Sequence, residues 1–146
     1  MIENVLILCL GNICRSPAAE AMLRDRLRQK GLFVVVHSAG LTAVRGARAH
    51  SRICALLYEK QISLDGHVAA QVTPEMVHVA DLILVMDDEQ KQMLEGQFNA
   101  ACGKTFRLGH YQGFDIEDPF GKSKAVFSAA IDKIELSLND WVELIA

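Results

Sequence analysis

Residues 5–17 read Val-Leu-Ile-Leu-Cys-Leu-Gly-Asn-Ile-Cys-Arg-Ser-Pro, and this stretch decides the fold. It opens with an apolar run typical of a buried strand. Ser16-Pro17 is a typical helix start, because a proline at the first helical position loses no hydrogen bond. Between the two, Gly11 and Asn12 are residue types that adopt a positive φ at low steric cost. The stretch therefore predicts a strand at residues 5–9, a tight loop and a helix in direct succession.

The loop after this strand has the composition of an anion-binding site. Backbone N–H groups that converge at a helix N-terminus carry partial positive charge and attract a phosphoryl group. The same field stabilises a thiolate, which predicts Cys9 as a nucleophile at neutral pH. Arg15 is always charged and presents a planar fork of donors that matches two phosphate oxygens. The other predicted phosphate-binding residues are Leu10, Gly11, Asn12, Ile13, Cys14 and Ser16, of which Ser16 can also donate its hydroxyl to the Cys9 sulfur or cap the helix.

The rest of the chain alternates the same two kinds of element. Further strands are predicted at residues 33–37, 82–86 and 105–108, and helices at 17–30, 48–61, from Thr73 onward, 87–98 and 123–145. This alternation predicts an α/β, three-layer fold, with a four-stranded parallel sheet and helices on both faces, in a single domain over residues 1–146. In such folds ligands bind at the carboxyl ends of the strands, which is where the Cys9 loop emerges.

Composition narrows the class of protein. The chain is 51% hydrophobic and 23% charged, which indicates a globular protein, and its net charge of −3 argues against nucleic acid as the main partner. Residues 1–14 carry no Lys or Arg, and their apolar run is too short for a signal sequence or a membrane span. We therefore expect a cytoplasmic protein without membrane insertion, whose thiols are mostly reduced.

Several motifs together resemble the low-molecular-weight protein tyrosine phosphatase family. They are the loop at residues 9–17, Ser38-Ala39-Gly40, Gly66-His67, Gln71 and Asp118-Pro119-Phe120, and they extend the resemblance over essentially all 146 residues. The resemblance implies hydrolysis of phosphotyrosine in proteins through a phosphocysteine on Cys9, with inorganic phosphate as product and no metal or cofactor. It also implies that Ser38 and His67 brace the loop. We expect His67 to form a hydrogen bond with Asn12, with Glu20 as the counter-charge of His67.

Asp118 is the predicted general acid. A tyrosine leaving group has a pKa of about 10, so its expulsion at neutral pH is slow unless an acid protonates it. Pro119 biases Asp118 toward an extended backbone, in a segment that can arch over the Cys9 loop. Asp115 and Glu117 remain alternative acids.

Two features carry further expectations. Cys14 is either a small packing residue or a redox partner that traps oxidised Cys9 as a disulfide, a role that the resemblance also implies. The segment 41–48 lacks an aromatic residue, and Phe120-Gly121 stands where many family members carry a tandem tyrosine pair. The segment 41–48 resembles the bacterial branch that acts on tyrosine autokinases controlling capsule or exopolysaccharide, and without the tyrosine pair we expect no regulation by phosphorylation there. The residues predicted to line the phenyl slot are then Leu10, Ile13, Leu41 and Phe120.

Other functions fit the sequence less well. A thioredoxin-coupled arsenate reductase shares this fold and loop, but it needs a further pair of redox cysteines after the third strand, and residues 82–99 contain no Cys. A noncatalytic phosphotyrosine-binding or redox-sensing module is expected to lack the nucleophile or the acid, whereas both are present here. A nucleotide P-loop requires Gly-Lys-Ser/Thr at the end of the loop, which is absent.

Overall fold

The computed structural model describes all 146 residues and contains one four-stranded parallel sheet. The strands are β1 (Asn4–Cys9), β2 (Val35–Gly40), β3 (Leu82–Val85) and β4 (Thr105–Arg107), in the spatial order β2-β1-β3-β4. Central strand β1 pairs with both neighbours, so that Ile7 lies between Ser38 and Leu84. The predicted parallel α/β sheet is confirmed.

Five α-helices flank the sheet. They are α1 (Arg15–Gln29), α2 (Ser51–Glu59), α3 (Pro74–Val79), α4 (Asp88–Gln97) and α5 (Lys124–Ile145), and a short 3-10 turn spans Asn99–Ala101. Val5 and Ile7 of β1 belong to one hydrophobic cluster, with α1, α2 and α5, whereas Leu6 and Leu8 belong to a second cluster with α3 and α4. Because alternate residues of a strand point to opposite faces, the apolar run of β1 supplies both cores.

Helix α5, the longest helix, contacts the sheet at the carboxyl end of β4. Its apolar stripe is buried and includes Phe127, Ile131, Ile134, Leu138 and Trp141. The indole nitrogen of Trp141 donates to the carbonyl of Leu108, 2.7 Å away, just past the end of β4. None of the helices combines the length and the hydropathy that crossing a bilayer requires.

Three predicted element starts were wrong by two residues or more. Helix α1 begins at Arg15 rather than at residue 17, so Pro17 is its third residue, where a missing N–H still costs no helical hydrogen bond. Strand β2 begins at Val35 rather than at residue 33, since the side chain of Phe33 is 93% exposed, and it continues to Gly40, which pairs with Cys9. Helix α2 begins at Ser51 rather than at residue 48. The residues before it are held by loop hydrogen bonds, and the side chain of His50 caps the helix by accepting from the Arg52 amide at 3.1 Å.

Candidate active site

The segment from Cys9 to Arg15, here called the phosphate loop, joins β1 to α1. Asn12 has a φ of 60°, so Asn12 rather than Gly11 adopts the left-handed conformation that the tight turn needs. The Asn12 side chain is fully buried and satisfied. Its amide nitrogen donates to Ser16 Oγ (2.8 Å) and Ser38 Oγ (3.0 Å), and its oxygen accepts from the Ala70 amide (3.0 Å). A glycine would permit the same backbone but would lose these three hydrogen bonds.

A chain of hydrogen bonds fixes which group donates to the Cys9 sulfur. Ser38 Oγ donates to Glu20 Oε1 at 2.5 Å, and Asn12 donates to both serine hydroxyls. The proton of Ser16 is therefore free to point at Cys9 Sγ, 2.9 Å away. A hydroxyl that donates to the sulfur stabilises its thiolate form.

The loop is also held from outside by His67. The ring nitrogen Nε2 of His67 lies 2.8 Å from the backbone carbonyl of Asn12, so that nitrogen carries the proton and donates. The expected His67–Asn12 contact is thus present. The expected partnership of His67 with Glu20 was wrong, because the carboxylate of Glu20 is bound by Ser38 and by the guanidinium of Arg24.

Arg15 is 2% exposed and its guanidinium is held on several sides. Its Nη1 donates to the carbonyl of Ile116 at 2.8 Å and lies 3.9 Å from Asp87, and its Nη2 lies 3.7 Å from Asp118. Its buried Nε has no hydrogen-bond partner within the protein. This nitrogen is an available donor for an oxyanion, and a charged donor gives the stronger kind of hydrogen bond.

One cavity of about 200 Å³ opens over the loop. Its lining residues are Cys9, Leu10, Gly11, Ile13, Cys14, Arg15, Thr42, Val44, Asp118 and Phe120. The cavity thus brings together the predicted nucleophile, guanidinium and acid, with an apolar wall beside them. A mixture of apolar surface and a few convergent polar groups is typical of a small-molecule site.

Leu41 was wrongly predicted to line the slot. Its side chain is 4% exposed and packs into the second core cluster, below the end of β2. Thr42 and Val44 line the cavity instead, and the amide of Val44 donates to the carbonyl of Gly11 at 3.0 Å. The residue types alone do not reveal this shift, because it depends on the path of the backbone after Gly40.

Asp118 lies on residues 114–121, here called the acid loop. Its side chain is 47% exposed, and its Oδ1 accepts from the amide of Phe120 at 3.1 Å. The two alternative acids are engaged elsewhere and do not line the cavity. Asp115 pairs with Arg107 at 2.8 Å. Glu117 accepts a hydrogen bond from Lys122 at 2.6 Å, which lowers the pKa of Glu117 and keeps it ionised. Of these three carboxylates, only Asp118 can reach a substrate in the cavity.

Cys14 occupies the N-cap position of α1, without a capping hydrogen bond from its side chain, and is 3% exposed. Burial, with a smaller contribution from the charge of Asp118, raises the pKa of the Cys14 thiol to about 12. At neutral pH Cys14 is therefore a protonated thiol and a poor nucleophile. All four cysteines are reduced in the structure.

Besides Thr42 and Val44, two further contributions to the site were not foreseen. Asp87 was predicted only to start a helix, and it does cap α4 by accepting from the Gln90 amide at 2.8 Å, yet its other oxygen approaches Arg15. His50 packs against the ring of Phe120 with centroids 6.0 Å apart. The contribution of Asp87 could have been predicted from the sequence, because its carboxylate follows the carboxyl end of β3. No feature of the sequence predicted the contribution of His50.

Comparison with known proteins places this geometry in a family. The model of the family "Low molecular weight phosphotyrosine protein phosphatase" matches residues 4–146. The chain therefore belongs to the low molecular weight phosphotyrosine protein phosphatases, and the resemblance found in the sequence is confirmed.

Individual relatives cover almost the whole chain. The protein called "Probable low molecular weight protein-tyrosine-phosphatase EpsP" of Ralstonia nicotianae is 41% identical over 142 residues, covering 97% of this chain and 95% of that protein. The protein-arginine-phosphatase of Bacillus subtilis is 36% identical, with 90% and 89% covered. The crystal structure of the tyrosine phosphatase Wzb from Escherichia coli K30 in complex with sulphate superposes with a TM-score of 0.93 at 28% identity, covering 100% of both chains.

Proposed function

We propose that the protein hydrolyses phosphotyrosine in proteins through a phosphocysteine intermediate on Cys9. The observation that carries the proposal is the shared cavity, which is lined by Cys9, Arg15 and Asp118 together with an apolar wall. The family is a phosphatase family, and a sulphate complex of a relative with the same fold agrees with an oxyanion site. An aryl phosphate fits because its phosphoryl group meets the loop while its flat ring contacts the apolar wall.

In the first step the thiolate of Cys9 attacks phosphorus and forms the S–P bond, while the bond from phosphorus to the tyrosine oxygen breaks. The amides of the phosphate loop and Arg15 hold the equatorial oxygens, where charge develops. Asp118 gives its proton to the departing oxygen, so tyrosine leaves as the neutral phenol. The leaving group needs this proton because a phenolate is too basic to depart readily at neutral pH.

In the second step Asp118, now a carboxylate, removes a proton from water as the water oxygen attacks phosphorus. The S–P bond breaks, Cys9 returns as a thiolate and inorganic phosphate is released. The hydroxyl of Ser16 stabilises Cys9 both as nucleophile and as leaving group, because it donates to the same sulfur. Ser38 and His67 contribute by holding Asn12, and we assign them a positioning role.

Cys14 has a protective role in this proposal. Peroxide oxidises the Cys9 thiolate to a sulfenic acid, which removes the Cys9 charge that contributes to the raised pKa of Cys14. Cys14 then attacks the Cys9 sulfur, its proton leaves with the departing hydroxyl group, and the products are a disulfide and water. Cys9 and Cys14 line the same cavity, which supports a disulfide between them. The disulfide is reducible, so activity returns with thiol reductant.

For the physiological substrate we propose a tyrosine autokinase that controls capsule or exopolysaccharide, acted on in the cytoplasm. Support comes from the similarity to the bacterial tyrosine phosphatases EpsP and Wzb. The mechanism also needs reduced Cys9, which suits a reducing compartment. Arsenate reduction is less well supported, because neither Cys54 nor Cys102 lines the cavity.

Phosphoarginine is a second candidate substrate, because one relative is a protein-arginine-phosphatase. The apolar lining by Leu10, Ile13, Val44 and Phe120 favours a phenyl ring over a charged guanidinium group.

A panel of peptides that differ only in phosphotyrosine, phosphoserine or phosphoarginine, hydrolysed with EDTA present, tests both candidates. Selective release of phosphate from phosphotyrosine supports the main proposal. Faster release from phosphoarginine would replace it with the second candidate.

A further inference from the structure

The cavity has unpaired cations beside its mouth. Arg45, Arg48 and Arg52 are exposed, and none of them forms an ion pair in the structure. The protein as a whole carries a net charge of −3, so this concentration of positive charge is local. Exposed arginines without an intramolecular carboxylate partner are available to a ligand that carries carboxylates or phosphates.

Arg45 lies at the tip of a turn that is tied to the phosphate loop. The Val44 carbonyl accepts from the Ala47 amide at 3.1 Å, and Gly46 has a φ of 80°, as the third position of a type II turn requires. Val44 itself lines the cavity and its amide is bonded to Gly11. Arg45 is therefore the residue next to the cavity wall, and the turn directs it to solvent.

Arg52 approaches the mouth from a second segment. Its guanidinium donates to the carbonyl of Lys122 at 3.3 Å and lies 5.5 Å from the ring of Phe127. Lys122 is two residues beyond Phe120, which lines the cavity. Two segments that are distant in sequence thus bring cations to the same mouth.

The neighbouring carboxylates leave this charge uncompensated. Asp87 and Asp118 are nearest to Arg15, inside the site, and Glu117 is bound by Lys122. Arg48 lines a different surface pocket, together with Asp65. Its link to the mouth is through the chain, because it lies two residues before His50, whose amide donates to the carbonyl of Ile13 at 2.8 Å. Arg48 is therefore the weakest of the three sites.

We infer that Arg45, Arg48 and Arg52 form a basic rim that binds acidic side chains flanking the phosphotyrosine of the substrate. The inference rests on the proposed function and specifies its substrate class as phosphotyrosine within an acidic sequence. An extended peptide advances about 3.5 Å per residue, so residues one to three positions from the phosphotyrosine lie within reach of arginine side chains at the mouth. The rim acts mainly on KM and association, because exposed charges steer binding without entering the chemical step.

The test compares two phosphotyrosine peptides, one with Glu and one with Gln at the flanking positions, against para-nitrophenyl phosphate, which has no flanks. For the wild type at about 0.02 M NaCl we expect kcat/KM to be about five- to tenfold higher for the Glu peptide, and the preference to vanish near 0.5 M NaCl through screening. In the Arg45→Ala/Arg48→Ala variant the ratio of kcat/KM for the Glu peptide to kcat/KM for the Gln peptide falls toward one. Arg52→Ala lowers the ratio as a separate variant.

Arg28→Ala is the matched control, because it removes one unpaired exposed arginine from the last turn of α1, about 20 Å along the helix from the phosphate loop. This variant keeps the wild-type ratio. Equal kcat/KM for the two peptides in the wild type, or an equal loss of preference in Arg28→Ala, overturns the basic rim while leaving the proposed function intact. No hydrolysis of either peptide or of para-nitrophenyl phosphate overturns the proposed function, and the basic rim with it.

Discussion

The two walls of the cavity are built differently. The phosphate loop is buried and held by side-chain hydrogen bonds through Asn12, Ser16 and Ser38, whereas the acid loop exposes 47% of the Asp118 side chain and 59% of Phe120. Binding of a phosphoryl group requires several donors to converge at once, which a buried network can maintain. An acid must meet leaving groups on varied proteins, and an exposed loop admits them. The buried wall, which is the phosphate loop, therefore binds and attacks the phosphoryl group, and the exposed wall, which is the acid loop, supplies the proton and admits the substrate.

The largest expected effect comes from removing the nucleophile on the buried wall. Cys9→Ser should lower phosphotyrosine turnover by about a thousandfold or more, because a serine hydroxyl is a far weaker nucleophile than a thiolate. Steady-state hydrolysis measures this, and binding of phosphate by calorimetry should persist, since the loop amides and Arg15 remain. The matched control Cys54→Ser lies outside the cavity and should retain activity. Substantial turnover by Cys9→Ser would contradict the phosphocysteine mechanism.

Removal of the acid on the exposed wall should have the next largest effect. We expect Asp118→Ala to lower kcat for a phosphotyrosine peptide by about a hundred- to a thousandfold, the usual range for a general acid. The loss should be smaller with para-nitrophenyl phosphate, whose leaving group needs less help from a proton. Glu117→Gln, in the same loop but bound to Lys122, is the control and should change kcat little. An equal loss for both substrates would argue against proton donation by Asp118.

The burial of Cys14 in the phosphate loop gives a pH dependence of stability. The pKa of the Cys14 thiol is about 12 in the folded protein, against 9.0 when free, so above pH 9 the unfolded chain loses a proton that the folded chain keeps. The contribution of Cys14 to the free energy of unfolding is fully present below pH 9, and above pH 9 it decreases by about 1.4 kcal/mol per pH unit. Urea unfolding at pH 8 and pH 10 measures the free energy of unfolding at each pH. In Cys14→Ala the decrease between the two should be smaller by about 1.4 kcal/mol. Identical slopes would show that Cys14 is not buried as a thiol.

The smallest effect should come from loosening the buried wall from outside. His67→Ala removes the donor to the Asn12 carbonyl, so we expect kcat to fall about three- to tenfold without loss of the reaction. The exposed His78→Ala is the control for loss of an imidazole. A His67→Ala variant equal to the wild type in both rate and stability would mean that the loop does not depend on this brace.

The same contrast explains what the sequence could predict. Local rules located the phosphate loop, because the strand, Gly11-Asn12 and Ser16-Pro17 are adjacent in the chain and the residue types limit the backbone. The position of Leu41 and the partner of Glu20 were missed, because each depends on contacts between segments far apart in sequence. Asp87 shows both outcomes. Its position at the start of α4 was predicted because capping is a local contact, whereas its approach to Arg15 was missed because the two residues are far apart in sequence.

The left-handed Asn12 has one further consequence. Protein groups alone satisfy its side chain and its carbonyl, so the shape of the phosphate loop does not depend on contacts with the esterified tyrosine. A free phosphate ion offers that loop the same equatorial oxygens as the substrate does. We therefore expect competitive product inhibition, which makes the rate of the enzyme respond to the phosphate concentration around it.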